Sequence, residues 1–152
     1  MPAILDIYNW YILHTEITFE TEPVSTDDME MRMKEKLNKY DWIVGEVDGE
    51  IIGYAYYGSF RPRTAYNHTV ESTIYLSMNH TGKGLGRLLL DELIRSARQK
   101  GFREMLGVIA LPNPASVRLH KNAGFFDAGT LKNVGYKFGR YIDVMILQKT
   151  IV

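Results

Sequence analysis

Between Val70 and Lys100 the chain reads VESTIYLSM, NHTGKGLGR and LLLDELIRSARQK. The first run alternates and is rich in β-branched residues, so it predicts a strand. The last run, with Leu85, Leu88, Leu89, Leu93 and Ala97 at helical spacing, predicts an amphipathic helix over Gly84–Lys100 that Gly101 stops. Gly82, Gly84 and Gly86 fall where strand turns into helix. Side-chain-free positions there leave backbone N–H groups facing outward at a helix N-terminus. Such free donors, with the positive end of the helix dipole, favour an anion. If the turn were only a flexible connection, each glycine would cost about 1 kcal/mol relative to alanine with no return. A Walker A loop needs Ser or Thr after Gly-Lys, but Gly84 follows Lys83. A dinucleotide fingerprint needs Gly or Ala where this chain has Arg87. The expectation is a pyrophosphate-bearing cofactor of another class.

The rest of the chain supplies layers around that unit. Pro2–Leu13 predicts a helix, with Ile4, Leu5, Tyr8, Tyr11 and Ile12 at helical spacing. Glu16–Glu20 alternates and predicts a short extended piece. Ser25 opens a second helix, with Asp28 at capping-box spacing and Met29, Met33 and Leu37 along one face. Asp41–Val47 and Glu50–Tyr57 are strands joined by Asp48-Gly49, a strong hairpin signal. Gly58–His68 is a loop rich in breakers and basic residues. Glu104–Leu111 is a strand that Pro112 breaks. Asn113 is placed to cap, and Pro114 to begin, a short helix through Asn122. Phe125–Leu131 and Tyr141–Lys149 are two last strands, separated by a loop punctuated by Gly135 and Gly139. On the polar face of the long helix, Asp91 and Arg95 stand at pairing distance. This order predicts an α/β fold with a mixed central sheet, parallel in the middle by right-handed crossover.

Composition bounds the function. At 152 residues the chain is one domain. Its 18 basic and 18 acidic side chains balance, which argues against a nucleic-acid partner. Cysteine is absent, so disulfides, thiolate metal sites and a cysteine nucleophile are excluded. His14, His68 and His80 form no metal-ligand pattern and read as surface or loop residues, so no metal is expected. No apolar run reaches membrane-spanning length, and the N-terminal segment lacks a signal-peptide pattern. A cytoplasmic location is the expectation.

Several separate segments, in order, carry a resemblance to one family. Thr81-Gly82-Lys83-Gly84-Leu85-Gly86 resembles the acetyl-CoA loop of the GCN5-related N-acetyltransferase (GNAT) superfamily, with Thr81 where Arg or Gln is usual. That departure implies that a phosphate contact is lost, or moved to Lys83 or Arg87. TFETEP, GYAYYGSFRPRTAY, TVESTIYLS, LPNPASVRLHKNAGF and VGYKFGRYIDVMILQ resemble its phosphinothricin and methionine sulfoximine N-acetyltransferase branch, from about Leu5 to about Gln148. The resemblance implies the GNAT fold with helices on both sheet faces, acetyl-CoA as cosubstrate, and a small amine or amino-acid acceptor. Family members usually begin with a strand before the first helix. Here an edge strand is absent or supplied by a partner subunit, which fits a homodimer.

Acetyl transfer to an amine needs a base, stabilisation of the carbonyl oxygen, a departing thiolate and two substrates held together. An α-amino group has a pKa of roughly 8, so the base has a modest task. Glu71 matches the family's strand glutamate and is the candidate base; the other reading is an exposed strand glutamate, or one paired with Arg61 or Arg63. His120, in Leu119-His120-Lys121-Asn122-Ala123-Gly124-Phe125, stands where the wider superfamily often has tyrosine. It is the candidate acid or, equally, a hydrogen-bonded structural histidine. By the resemblance, backbone groups of Ile74, Tyr75 and Leu76 face the thioester. Gly82, Lys83, Gly84, Leu85, Gly86 and Arg87 hold the pyrophosphate, and Asn113 and Ser116 meet the cofactor arm. Arg61 and Arg63 are the expected binders of an acceptor's acidic groups. Phe19 and Tyr66 form an apolar wall, with Ser72 and Thr73 beside Glu71. Lys137 and Arg140 lie in a matching loop without an assigned role.

Overall fold

The computed structural model describes residues Met1–Val152. Two helices come first, α1 (Pro2–His14) and α2 (Thr26–Leu37). The Ser25 side chain caps α2 by accepting from the Asp28 amide. Strands β1 (Trp42–Val47) and β2 (Glu50–Ser59) form a hairpin turning at Asp48-Gly49, both at positive φ. After a 3-10 turn at Thr64–Tyr66, β3 (Thr69–Leu76) leads through a second one at Met78–His80 into α3 (Leu85–Gln99). Then follow β4 (Glu104–Ala110), α4 (Pro114–Asn122), β5 (Phe126–Lys137) and β6 (Arg140–Thr150).

The six strands make one sheet in the order β1-β2-β3-β4-β6-β5. Only β3 and β4 pair in parallel, with α3 as the crossover. Alternation along β3 sorts its two faces. Val70, Ile74 and Leu76 join the main core with Leu89, Leu90 and Leu93 of α3 and Val117 and Leu119 of α4. Tyr75 faces the other way, with Tyr54, against Ile4, Ile7 and Tyr11 of α1. Helices therefore cover both faces, and the sheet starts at β1, with no strand before α1.

Four local expectations are corrected. Glu16–Glu20 is not extended; it is an irregular loop of bends. Leu88 is 65% exposed; Leu89, Leu93 and Ala97 are buried as expected, and Leu90 and Ile94 join them, because the face of α3 that meets the sheet turns away from Leu88. Asp91 pairs with Arg87 and Arg95 with Glu92, not with each other. The glycine-punctuated loop before the last strand is mostly strand: β5 runs to Lys137 and turns tightly at Phe138-Gly139, both at positive φ.

Gly53 shows how closely β2 and β3 approach. A Cβ there would stand 2.6 Å from Leu76 Cδ2 and 2.8 Å from the Tyr75 carbonyl oxygen. Backbone cannot yield as a side-chain tip can. Gly53→Ala is expected to lower unfolding free energy by about 1–3 kcal/mol in urea titration, with the m-value unchanged.

Candidate active site

The parallel ladder between β3 and β4 is short. It pairs Thr69–Ser72 with Glu104–Gly107 and stops. Beyond it β3 runs on to Leu76 and β4 to Ala110, each held only on its other side, by β2 and β6. The two strands splay. Ser77 N–H donates to the Ile52 carbonyl, so by alternation the amides of Tyr75 and Thr73 are turned toward β2. Those of Ile74 and Leu76 face the opening. The Leu76 carbonyl accepts from the Tyr11 hydroxyl at 2.6 Å.

This opening is the base of a cleft of about 850 Å³. Thr73–Leu76 and Val108–Ala110 form its floor, the start of α3 and the side of α4 form two walls, and the loop after α1 closes one end. Gly82 and Gly84 line it at φ 74° and 80°, with open space where a Cβ would be. Gly84 is the N-cap of α3 and offers no side-chain cap, and the first turn holds no acidic residue. The first amides of a long helix are thus left for an anion. Arg87 also lines the cleft, donating to Asp91 at 2.9 Å and to the Asn122 carbonyl at 3.1 Å, which ties α3 to α4. Thr81 closes the preceding 3-10 turn through Met78 O, at 3.1 Å. Lys83 and Leu85 are not among the lining residues.

Asn113 and Ser116 line the cleft at the start of α4, where the Asn113 side chain accepts the Ser116 amide at 3.2 Å. Four residues on, the His120 ring lies against Gly107; a Cβ on Gly107 would meet it at 2.7 Å. Its Nδ1 is 2.8 Å from the Ser116 carbonyl. A carbonyl only accepts, so Nδ1 carries the proton and Nε2 the lone pair. Burial pushes the imidazole below its ordinary pKa, and the Ser116 bond offsets part of this.

Glu71 lies at the other side of the sheet, on the last rungs of the parallel ladder, and lines the same cleft. Burial raises its carboxyl above the ordinary range, and the nearby Lys36 ammonium pulls the other way. Its neighbour Ser72 is committed elsewhere, donating to the Leu106 carbonyl at 3.1 Å. Thr73 and Phe19 line the cleft; Arg61, Arg63 and Tyr66 do not. Arg61 instead rests on the rings of Phe60 and Tyr66, on the loop between β2 and β3. Glu71 forms no ion pair with either arginine.

Tyr11, Thr15, Ile17 and Thr18 also line the cleft and were invisible to pattern reading. Their loop is shaped from the far end of the chain. The buried Lys137 ammonium donates to the Thr18 carbonyl at 2.8 Å, and Arg140 grips Glu16 with two bonds of 2.6 Å. Phe19 lies on Gly135, where a Cβ would come within 2.3 Å of its ring. Lys137 and Arg140 therefore act as clamps. Gly107 did leave a signal, a glycine inside an apolar strand, which marks close approach.

The sequence matches the acetyltransferase (GNAT) domain family over residues 1–146. The chain belongs to that family: it is a GNAT acetyltransferase. Over 149 residues it is 41% identical to the phosphinothricin N-acetyltransferase of Streptomyces viridochromogenes, covering 98% of this chain and 81% of that one. Over 147 residues it is 39% identical to the L-methionine sulfoximine/L-methionine sulfone acetyltransferase of Salmonella typhimurium, covering 96% and 86%. Its fold superposes with a TM-score of 0.94 on a phosphinothricin acetyltransferase from Sinorhizobium meliloti in complex with acetyl-CoA, at 38% identity over 96% of this chain and 80% of that one.

Gly135→Ala is expected to displace the Phe19 ring and release the loop it pins. Hydrogen exchange should quicken at the amides of Ile17–Glu20 while those of α3 keep their protection.

Proposed function

We propose that the protein transfers an acetyl group from acetyl-CoA to the amino group of a small amino acid of the phosphinothricin or methionine sulfoximine type. One juxtaposition carries this reading: a single cleft joins an uncapped helix N-terminus, an unpaired strand edge and a half-buried carboxylate. The donor set fits the cofactor. Amides at the start of α3, next to Gly82, Gly84, Gly86 and Arg87, suit a pyrophosphate. The outward-facing amides of Ile74 and Leu76, with Asn113 and Ser116, suit an arm rich in amides. Acetyl-CoA supplies an acyl group activated as a thioester.

The acceptor amine lies between Phe19 and Thr73, within reach of Glu71. Glu71 takes its proton, directly or through one water, and burial has raised the carboxyl toward the pKa a base needs near neutrality. The Ile74 amide is the proposed donor to the carbonyl oxygen as charge gathers there; the thioester C–S bond then breaks, and coenzyme A leaves as a thiolate that takes its proton from water. His120 keeps its Nδ1 proton on Ser116, so in its resting state it orients and packs rather than donates. A cytoplasmic location and a homodimer accompany this reading. No helix is long and apolar enough to cross a membrane. Leu131, Val134 and Tyr136 stand exposed on the edge strand β5, which supports pairing with a second copy. Light scattering should then return twice the 17.5 kDa of one chain.

Mixing protein, acetyl-CoA and L-methionine sulfone should release free thiol; none with any amino acid or amine sinks the proposal. Glu71→Gln should depress kcat about 10²–10⁴-fold with little change in cofactor affinity. The acid limb of kcat/KM should lie above the ordinary glutamate value of 4.5. The sign for stability follows from the same shift. A folded carboxyl with a raised pKa binds more protons than the unfolded one, so stability is lost as pH rises through that window. Glu71→Gln should therefore melt no lower than the parent at neutral pH.

A further inference from the structure

We infer that the hollow between α2 and the β1–β2 hairpin is a second binding site, for a small organic carboxylate, separate from the cleft and independent of the acetyl-transfer reading. The hollow holds about 300 Å³, far more than the roughly 30 Å³ share of one water. None of its lining residues lines the cleft. It arises where α2 crosses the hairpin. Trp42 stands opposite Tyr56 in the strand register, and alternation puts Tyr54, Tyr56 and Gly58 on one face of β2. Large rings beside a glycine leave a step, and Lys36 of α2 reaches over it. A Cβ on Gly58 would lie 2.7 Å from Lys36 Nζ.

The walls hold donors without acceptors. The Trp42 indole N–H is the one buried side-chain polar atom of the chain with no partner. The Tyr54 residue is 1% exposed, and its hydroxyl bonds to no other group of the chain. Lys36 forms no ion pair; its ammonium lies over the Tyr56 ring, 5.2 Å from the centroid. Arg32, on the same border, is already matched, donating to Glu20 at 2.7 and 3.0 Å. Native folds rarely leave buried donors unmatched, so three of them around one space call for a group that only accepts. A carboxylate ion is such a group. Glu35, the one carboxylate of the lining, is exposed and bonds to none of the three.

Aromatic walls can also hold a cation, but two observations favour the anion. Trp42 is parallel to Tyr56 within 10° at 4.4 Å and to Tyr54 within 3° at 5.3 Å. The rings cover one another's faces and leave their edges, the positive part of the ring quadrupole, for a ligand. Arg32 and Lys36 also repel a further positive charge. The hydrocarbon part of the carboxylate then meets those edges and Met29.

The chain has two tryptophans, so in the full-length Trp10→Phe protein the indole emission reports Trp42 alone. Hexanoate, titrated at constant ionic strength with coenzyme A present, should change that emission saturably. Hexanamide, the same body without the charge, should need about tenfold more, the loss of one charge-assisted contact. Lys36→Met should abolish the difference between the two and still bind hexanamide, which shows that the variant is folded; Lys36→Arg should retain the difference. No saturable change with hexanoate, equal midpoints for the two probes in the parent, or an undiminished preference for hexanoate in Lys36→Met would overturn the assignment. So would saturation by tetramethylammonium in place of hexanoate, which marks a cation cage, or displacement of hexanoate by L-methionine sulfone, which places it in the cleft.

Discussion

Everything at the site follows from how few rungs join β3 to β4. Parallel strands normally stay together for their length, since each unpaired backbone group forfeits a hydrogen bond. Here each strand has a second neighbour that holds it throughout, β2 on one side and β6 on the other. The strands can part beyond Ser72 and Gly107 without losing their own conformation. Parting opens a cleft through the sheet, leaves strand amides facing it, and lets groups from both faces converge. Glu71 comes from the side of α1 and α2, His120 from the side of α3 and α4.

Two kinds of fixture keep that opening in shape. On one face α4 is pressed onto β4, because Gly107 leaves room for the His120 ring and Arg87 ties α3 to the end of α4. On the other, the loop after α1 is held by the β5–β6 hairpin through Lys137, Arg140 and Gly135. Tyr11 joins the two regions by its bond to Leu76. The contacts of Lys137, Arg140 and Gly135 link residues more than a hundred positions apart, so this end of the cleft is built from distant parts of the chain.

Local signals read well where a residue's neighbours in sequence decide its state. The Ser25 and Asn113 caps, the Asp48-Gly49 hairpin and the glycine turn all hold as expected. Signals failed where a distant surface decided. Leu88 fits the helical stripe by spacing, yet the sheet meets α3 on the face of Leu90 and Ile94. Gly135 looks like loop punctuation, yet it sits within β5 because Phe19 needs the space. Arg87 and Glu92, rather than mutual partners, satisfy Asp91 and Arg95.

The sequence alone determined the order of elements, the anion-seeking turn before α3, and the family whose chemistry that turn serves. Each of these is written in short-range spacing, which one strand and one helix can express unaided. Only the tertiary structure decided which polar groups share the cleft. It brought Glu71 and His120 to one opening from opposite faces of the sheet, kept Arg61 on the rings of Phe60 and Tyr66, and turned His120 Nδ1 to the Ser116 carbonyl. Those outcomes depend on strand register and on packing between layers, where a side chain's partner is chosen by distance in space and leaves no trace in spacing along the chain.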